Sequence, residues 1–386
     1  MSGPRVAVVY DSFFPLTTGG GERVYRRLCE LLVERGATVR YLTRQLWGAA
    51  DPPRPGFGVE GIWRGDVYDA RGARTTSGAL AFAFASYRHV RRTRQEYDIV
   101  VASALPVLTL IAVRLALRGT GVWLVGDWLE VWSWSKWRGY AGALSGTAAF
   151  VLQSLGVHCA DLDTVNSSFT AARLTRAGMD PLVLGLVDLG GAPRPAVSAS
   201  SPPYILFVGR HIPDKRIAAL PAALAVARSS IRDLRLIVAG DGPDTPALHR
   251  ELERTGMSAF TEVVGRVDDD RLAALVAGAS ALVNPSSREG FGLVVAEVAA
   301  AGVPSVVVAG VDNAAVDLIR DGVNGTVASS VAPEDLGGAI VRVVRDGAMR
   351  RRTAQWYLQE SVAHGLGASV DELLLRYSRW RRSRAR

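Results

Sequence analysis

The chain has 386 residues, 48% hydrophobic and 21% charged, a balance that suits globular folding and excludes extensive disorder. Its length exceeds one ordinary core and predicts two domains of about 150 to 200 residues. A net charge of +8 points to an anionic partner, and two cysteines, Cys29 and Cys159, give neither metal spacing nor a disulfide framework, which suggests a reducing cytoplasm.

In chain order, Val6-Ala-Val-Val-Tyr10 is strand length and soon meets Asp11 and Pro15, so no N-terminal export signal is expected. Thr17-Thr-Gly-Gly-Gly-Glu-Arg-Val24 follows that strand and opens a helix, where glycine permits close backbone approach to a phosphate or a sugar. A dinucleotide fingerprint begun at Gly19 would need glycine where the chain has Val24, which disfavours a hydride-transfer enzyme. Further strand-like runs lie at 38–42, 99–102, 122–125 and 163–165. The most apolar stretch, 99–113, is broken by Pro106 and closed by Arg114, so it reads as a buried strand and helix rather than a membrane span. At Val125-Gly-Asp-Trp-Leu-Glu-Val-Trp132, Asp127 and Glu130 sit at a strand end among five tryptophans, Trp123, Trp128, Trp132, Trp134 and Trp137. Aromatic faces stack on sugar rings, so Trp128, Glu130 and Trp132 are candidates to hold a glycoside or aminocyclitol acceptor. At least two of the five tryptophans are expected to be packing residues, and a membrane-dipping loop is a third reading.

Gly190 to Pro203, rich in Gly, Pro and Ser, reads as a linker. The second half restarts with strand-like runs at 204–208, 234–239, 262–264, 281–283 and 305–308, and this alternation with helices predicts α/β architecture with parallel sheets. Gly209-Arg-His-Ile-Pro-Asp-Lys215 follows a strand, so Arg210 and Lys215 can converge on one anion. Leu236 to Pro243 and Val263-Val-Gly-Arg-Val267 are strands running into glycine turns, and Asp268 reads as a helix N-cap. In Ser287-Arg-Glu-Gly-Phe-Gly-Leu-Val-Val-Ala-Glu297, two carboxylates flank a turn that opens an apolar helix. Burying Glu297 without partners would cost several kcal/mol, so it is expected to face a diol such as a ribose, with Glu289 facing sugar hydroxyls beside the amides of Phe291, Gly292 and Leu293. The tail from Arg376 to Arg386 is basic and holds Trp380, a composition suited to an anionic bilayer or to a solvated helix end.

The run E-G-F-G-L-x-x-x-E from Glu289 to Glu297 resembles the signature of the family 4 retaining glycosyltransferases, whose GT-B fold joins two Rossmann-like domains with a cleft between them. The resemblance implies an N-terminal acceptor-side domain over 1–190, a linker over 191–203, a nucleotide-sugar domain over 204–365, and a helix and tail over 366–386 that pack back on the first domain. It implies that Arg210 and Lys215 hold a donor diphosphate and that the backbone at Gly265 and Val267 edges the nucleobase. Gly19 and Gly20 align with the family's G-G-x-E-R loop. Two departures stand out: Arg216 occupies a position often held by glycine, and Leu129 one often held by a donor-contacting histidine. Asp127 is the expected substitute, and a pentose donor would account for the leucine. The implied reaction moves a sugar from a nucleotide diphosphate donor, UDP-linked in preference to GDP-linked, to a small-molecule or oligosaccharide hydroxyl. No metal, cofactor or nucleic acid is expected, since GT-B enzymes generally do without metal. A lipid-linked acceptor reached through the basic tail, a nucleotide-sugar epimerase and a non-catalytic nucleotide-sugar binder are the alternatives.

Overall fold

The computed structural model describes residues 3–17, 19–48, 53–67, 74–194 and 199–384. Residues 195–198 of the expected linker and 385–386 of the tail lie outside the described residues. The chain divides into two compact units, Met1–Gly185 with Leu366–Arg386, and Leu186–Gly365.

In chain order the first unit contains β1 (Arg5–Val9), α1 (Gly20–Glu34), β2 (Thr38–Arg44), β3 (Gly58–Trp63), α2 (Thr76–Thr93), β4 (Ile99–Ser103), α3 (Val107–Ala116) and β5 (Trp123–Trp128). It continues through α4 (Trp134–Ala141), α5 (Ala143–Gly156), β6 (Leu162–Val165), α6 (Ser168–Arg176) and β7 (Leu182–Val183). Its parallel sheet has the order β3-β2-β1-β4-β5-β6-β7, with Val6 opposite both Val39 and Ile99. Every residue of β4 and β5 is buried, as expected of parallel strands covered on both faces. The amphipathic helix α1 buries Val24, Tyr25, Leu28, Leu31 and Leu32 on one side, each worth about 1.5–3 kcal/mol once removed from water.

The second unit holds β8 (Tyr204–Val208), α7 (Leu220–Ser230), β9 (Arg235–Ala239), α8 (Thr245–Thr255), β10 (Thr261–Gly265), α9 (Asp269–Gly278), β11 (Ala281–Asn284) and β12 (Arg288–Glu289). After these come α10 (Leu293–Ala299), β13 (Ser305–Val308), β14 (Asp312–Asn313), β15 (Gly325–Ala328), α11 (Pro333–Arg345) and α12 (Met349–Ala363). The main sheet runs β10-β9-β8-β11-β13-β15, and β12 pairs with β14 beside it. Its strand order reverses between β8 and β11, and the crevice outside the carboxyl ends at such a point is where open parallel sheets place ligands.

The last helix, α13 (Leu366–Arg384), belongs to the first unit. It buries Leu366, Val370, Leu373 and Tyr377, and its Ser369 hydroxyl accepts from Gly185 N at 2.8 Å. Arg35 is bonded to Asp371 at 2.8 Å, and Trp380 lies 6.2 Å from Trp123 and 6.1 Å from Tyr377, ring to ring. Trp380 is thereby used in packing.

Candidate active site

In the second unit, the turn after β8 and the loop after β11 are tied together at the point where strand order reverses. Gly240, after β9, has φ +132°, and a Cβ there would stand 1.9 Å from the Gly209 carbonyl oxygen, so close passage of the two loops requires glycine. Beyond Gly209 a 3-10 turn, Pro213–Lys215, aims Lys215 at Glu289, and the two form an ion pair with Glu289 Oε1. That oxygen also accepts from Asn284 Nδ2 at 3.1 Å and from the Ser286 hydroxyl at 2.9 Å. Ser287 N donates to Asp214 O at 2.8 Å, and Asn313 Nδ2 donates to Ser286 O at 3.1 Å and to Val308 O at 2.8 Å. Lys215 and Glu289 are both half-buried, their side chains 20% and 13% exposed.

Arg216 has φ +47° and ψ +39°, the left-handed region in which glycine is the unstrained residue. This explains a family preference for glycine and shows what the arginine adds: Nε donates to Pro285 O at 2.7 Å and Nη2 to Ser286 O at 3.0 Å. Burial lowers its pKa from the usual guanidinium value. Sequence reasoning passed over Arg216, Asn284, Ser286 and Asn313 as builders of this loop, because their bonds join distant segments.

Arg210 is exposed, and its side chain has no hydrogen-bond or ion-pair partner among the described residues. Gly292, the buried N-cap of α10, has φ +93°, and a Cβ there would stand 2.6 Å from the Ala315 Cβ. Phe291 and Leu293 flank it and are half-buried. Glu297 is half-buried on α10, whose buried face is Val295, Ala296, Val298 and Ala299. Gly265 ends β10 with φ +68°, its carbonyl accepting from Gly240 N at 2.8 Å, and Val267 packs against the core. Asp268 caps α9 by accepting from Arg271 N at 2.8 Å.

In the first unit, α1 starts at Gly20 with Gly19 as its N-cap, and the buried Glu22 turns its carboxylate over that end. Leu129 reaches the same turn: its Cδ1 lies 3.0 Å from where a Cβ of Gly21 would stand. Asp127 does not. It is 2% exposed, with Oδ2 taken by the Tyr25 hydroxyl at 2.5 Å and Oδ1 by the Thr164 hydroxyl at 2.6 Å, and burial raises its pKa. The structure thus corrects the reading of Asp127 as a donor contact: both oxygens point into the core. It also corrects Trp128, which is fully buried and donates from Nε1 to Asp163 Oδ1 at 2.7 Å. Glu130 accepts from Trp132 Nε1, and the Trp132 ring lies 4.7 Å from Trp137 and 5.2 Å from Tyr140. Those aromatics hold one another and the start of α4, while Trp134 faces outward. A pair not anticipated from sequence is Asp11, buried after β1, with Arg74 Nη2 at 3.1 Å from its Oδ1. Among the described residues no cluster of His, Cys, Asp or Glu has an arrangement able to hold a metal ion.

Two parallel-sheet Rossmann-like units of this kind define the GT-B class of fold. A structure from Anabaena, HepE in complex with UDP and glucose, superimposes with a TM-score of 0.69 and 18% identity, covering 97% of this chain and 99% of that one. The model for glycosyl transferases group 1 matches residues 193–356, and that for a glycosyl transferase 4-like domain matches residues 19–190. The chain belongs to the GT4-type glycosyltransferases. Among curated relatives, glycogen synthase of Mycobacterium tuberculosis is 27% identical over 310 residues, 78% of this chain and 65% of that protein. D-inositol 3-phosphate glycosyltransferase 2 of Catenulispora acidiphila is 35% identical over 216 residues, 50% of each chain. The chain thus spans less than two thirds of the length of these relatives.

Proposed function

We propose that the chain moves a sugar from a nucleotide diphosphate donor to an acceptor hydroxyl, with retention of anomeric configuration. The observation that carries this reading is the half-buried Lys215–Glu289 pair between the carboxyl ends of β8 and β11, with the exposed Arg210 on the same turn. Two cations on one turn suit a diphosphate, and Glu289, held by three donors, suits sugar hydroxyls at its remaining oxygen. Glu297 would meet the ribose diol and the backbone at Gly265 and Val267 the base. The amides of Phe291, Gly292 and Leu293 would line the phosphate, and in the first unit the backbone at Gly19 and Gly20 suits close approach to a phosphate or a sugar. As the bond from anomeric carbon to phosphate oxygen breaks, Arg210 and Lys215 stabilise the charge on the leaving diphosphate. The acceptor oxygen bonds to the anomeric carbon on the same face, and its proton passes to the departing phosphate oxygen. This needs no protein nucleophile and no metal.

The HepE complex with UDP supports a uridine donor, and the name of the inositol phosphate relative supports a cyclitol or similar small polyol acceptor. A lipid-linked acceptor is the second reading, favoured by outward-facing apolar residues on α4 and α5. The test is ligand-observed NMR against UDP-, GDP-, ADP- and dTDP-sugars, with Arg210→Ala as control. Saturation transfer to one nucleotide class that disappears in the variant is expected; transfer to none, or transfer unchanged by the variant, rejects the assignment.

A further inference from the structure

An ordinary surface helix hides its apolar stripe and shows its polar one. Helix α5 does the reverse. Its buried positions are Gly146, Gln153 and Gly156, whereas Leu144, Val151 and Leu155, which share one helical face, are 89%, 51% and 60% exposed. Helix α4, packed against α5, adds Trp134 and Tyr140 at 46% and 61%. Helix α2, joined to α5 through α3, adds Phe84 at 62%. Single exposed leucines are common on soluble proteins, but contiguous helices showing large apolar side chains mark a contact surface.

Charge decides what the surface meets. Helices α2, α3, α4 and α5 contain no Asp or Glu, and they carry Arg88, Arg91, Arg92, Lys136 and Arg138, besides Arg114, which pairs with Asp161 at 3.5 Å. The Arg138 guanidinium lies 4.4 Å from the Trp134 ring centre and that of Arg88 5.9 Å from the Phe84 ring centre, so cations border the apolar side chains. A two-fold contact with a second copy would set this cationic face against itself. We propose that the α2–α5 face docks on an anionic lipid bilayer, with Leu144, Val151 and Leu155 entering the acyl boundary and the bases meeting headgroup phosphates. Among the described residues no helix is long and apolar enough to cross a membrane, so the contact is peripheral. It differs from a contact through the basic tail, whose Trp380 packs on Trp123, and it does not depend on the transfer reaction.

The test is flotation of the full chain with vesicles of phosphatidylcholine alone and with about 30% phosphatidylglycerol, at low and high salt. Binding to the anionic vesicles that weakens with salt is expected. Partitioning should fall about tenfold or more in Leu144→Ser/Val151→Ser/Leu155→Ser, whose side chains are exposed and whose loss leaves the core intact. Phe84→Ser with Arg88→Gln, on a separate helix, should weaken it too, while Arg381→Gln/Arg382→Gln in the tail should not. Absence of binding to anionic vesicles overturns the proposal, as does binding kept by the α5 variant and lost by the tail variant. Concentration-dependent dimerisation abolished by the α5 variant, without vesicle binding, would assign the face to a second copy instead. A vesicle result is separate from the donor-binding result, so either can fail alone.

Discussion

Lys215 meets Glu289 across 74 residues of sequence, and the carboxylate oxygen it reaches also takes hydrogen bonds from Asn284 and Ser286. The two ends of this pair are therefore supported unequally. Glu289 keeps two neutral donors if the lysine is removed. Lys215 has no comparable support if the carboxylate goes.

That asymmetry gives the first expectation. Glu289→Ala should lose roughly 1–3 kcal/mol of stability by leaving a half-buried ammonium without its counterion, and Lys215→Ala distinctly less. Both should lower kcat/KM for transfer by about 100-fold or more, because in the proposed reaction Lys215 meets the leaving diphosphate and Glu289 positions the sugar through its hydroxyls. Urea unfolding read beside initial rates separates the effects; equal stability losses would contradict the unequal support.

Arg216 offers a second test, because its backbone and side chain pull in opposite directions. The left-handed φ of +47° penalises any side chain, whereas the bonds to Pro285 O and Ser286 O hold the loop carrying Ser286 and Glu289. Arg216→Gly relieves the backbone and loses the bonds; Arg216→Ala loses the bonds and keeps the strain. Glycine should therefore be more stable than alanine by about 1 kcal/mol, with donor affinity lowered in both. Thermal unfolding and donor titration read the two quantities, and equal melting temperatures for the variants would deny the strain.

The alternation of apolar runs and helices made the parallel α/β plan legible, since strands such as β4 and β8 are continuous apolar segments. Three main-sheet strands with weaker patterns were not legible: β3 is half-buried with glycines at 58 and 61, β7 is only Leu-Val, and β15 is only Gly-Thr-Val-Ala. Lys215 and Glu289 stood out because each lies just after a strand, and the fold brings them together. Asp127 stood out for the same reason, but Tyr25, 102 residues earlier, closes over it. Sequence position locates a strand end; it does not say which way a carboxylate turns when a distant hydroxyl competes for it.

Asp163 sets a third expectation. Burial pushes its pKa up to about 6 from an ordinary 3.8, opposed by the Trp128 hydrogen bond and His158. The folded chain holds this proton more tightly than the unfolded chain, so ionising the group favours unfolding. Its stabilising contribution is complete below about pH 3.8 and is lost as pH rises to about 6, a change on the order of 3 kcal/mol. Asp163→Asn should remove that part of the slope, and Asp127, raised in the same direction, should retain its own. Urea midpoints from pH 4 to pH 7 measure the difference between wild type and variant; parallel curves would reject a raised Asp163.

Leu129 is the position at which donor choice is most open to test. It is half-buried and its Cδ1 stands over Gly21 in the first turn of α1, so it presents hydrocarbon where the family resemblance implies an imidazole. A sugar hydroxyl facing that methyl group would lose its hydrogen bonds to water without gaining one from the protein, at a cost of about 1–3 kcal/mol. A pentose lacking that hydroxyl escapes the cost. Wild type should accordingly favour a UDP-pentose over the matching UDP-hexose, and Leu129→His should shift the kcat/KM ratio toward the hexose by about tenfold or more. Competition between the two donors measures the ratio directly. If Leu129 only packs against Gly21, histidine lowers the melting temperature and leaves the ratio where it was.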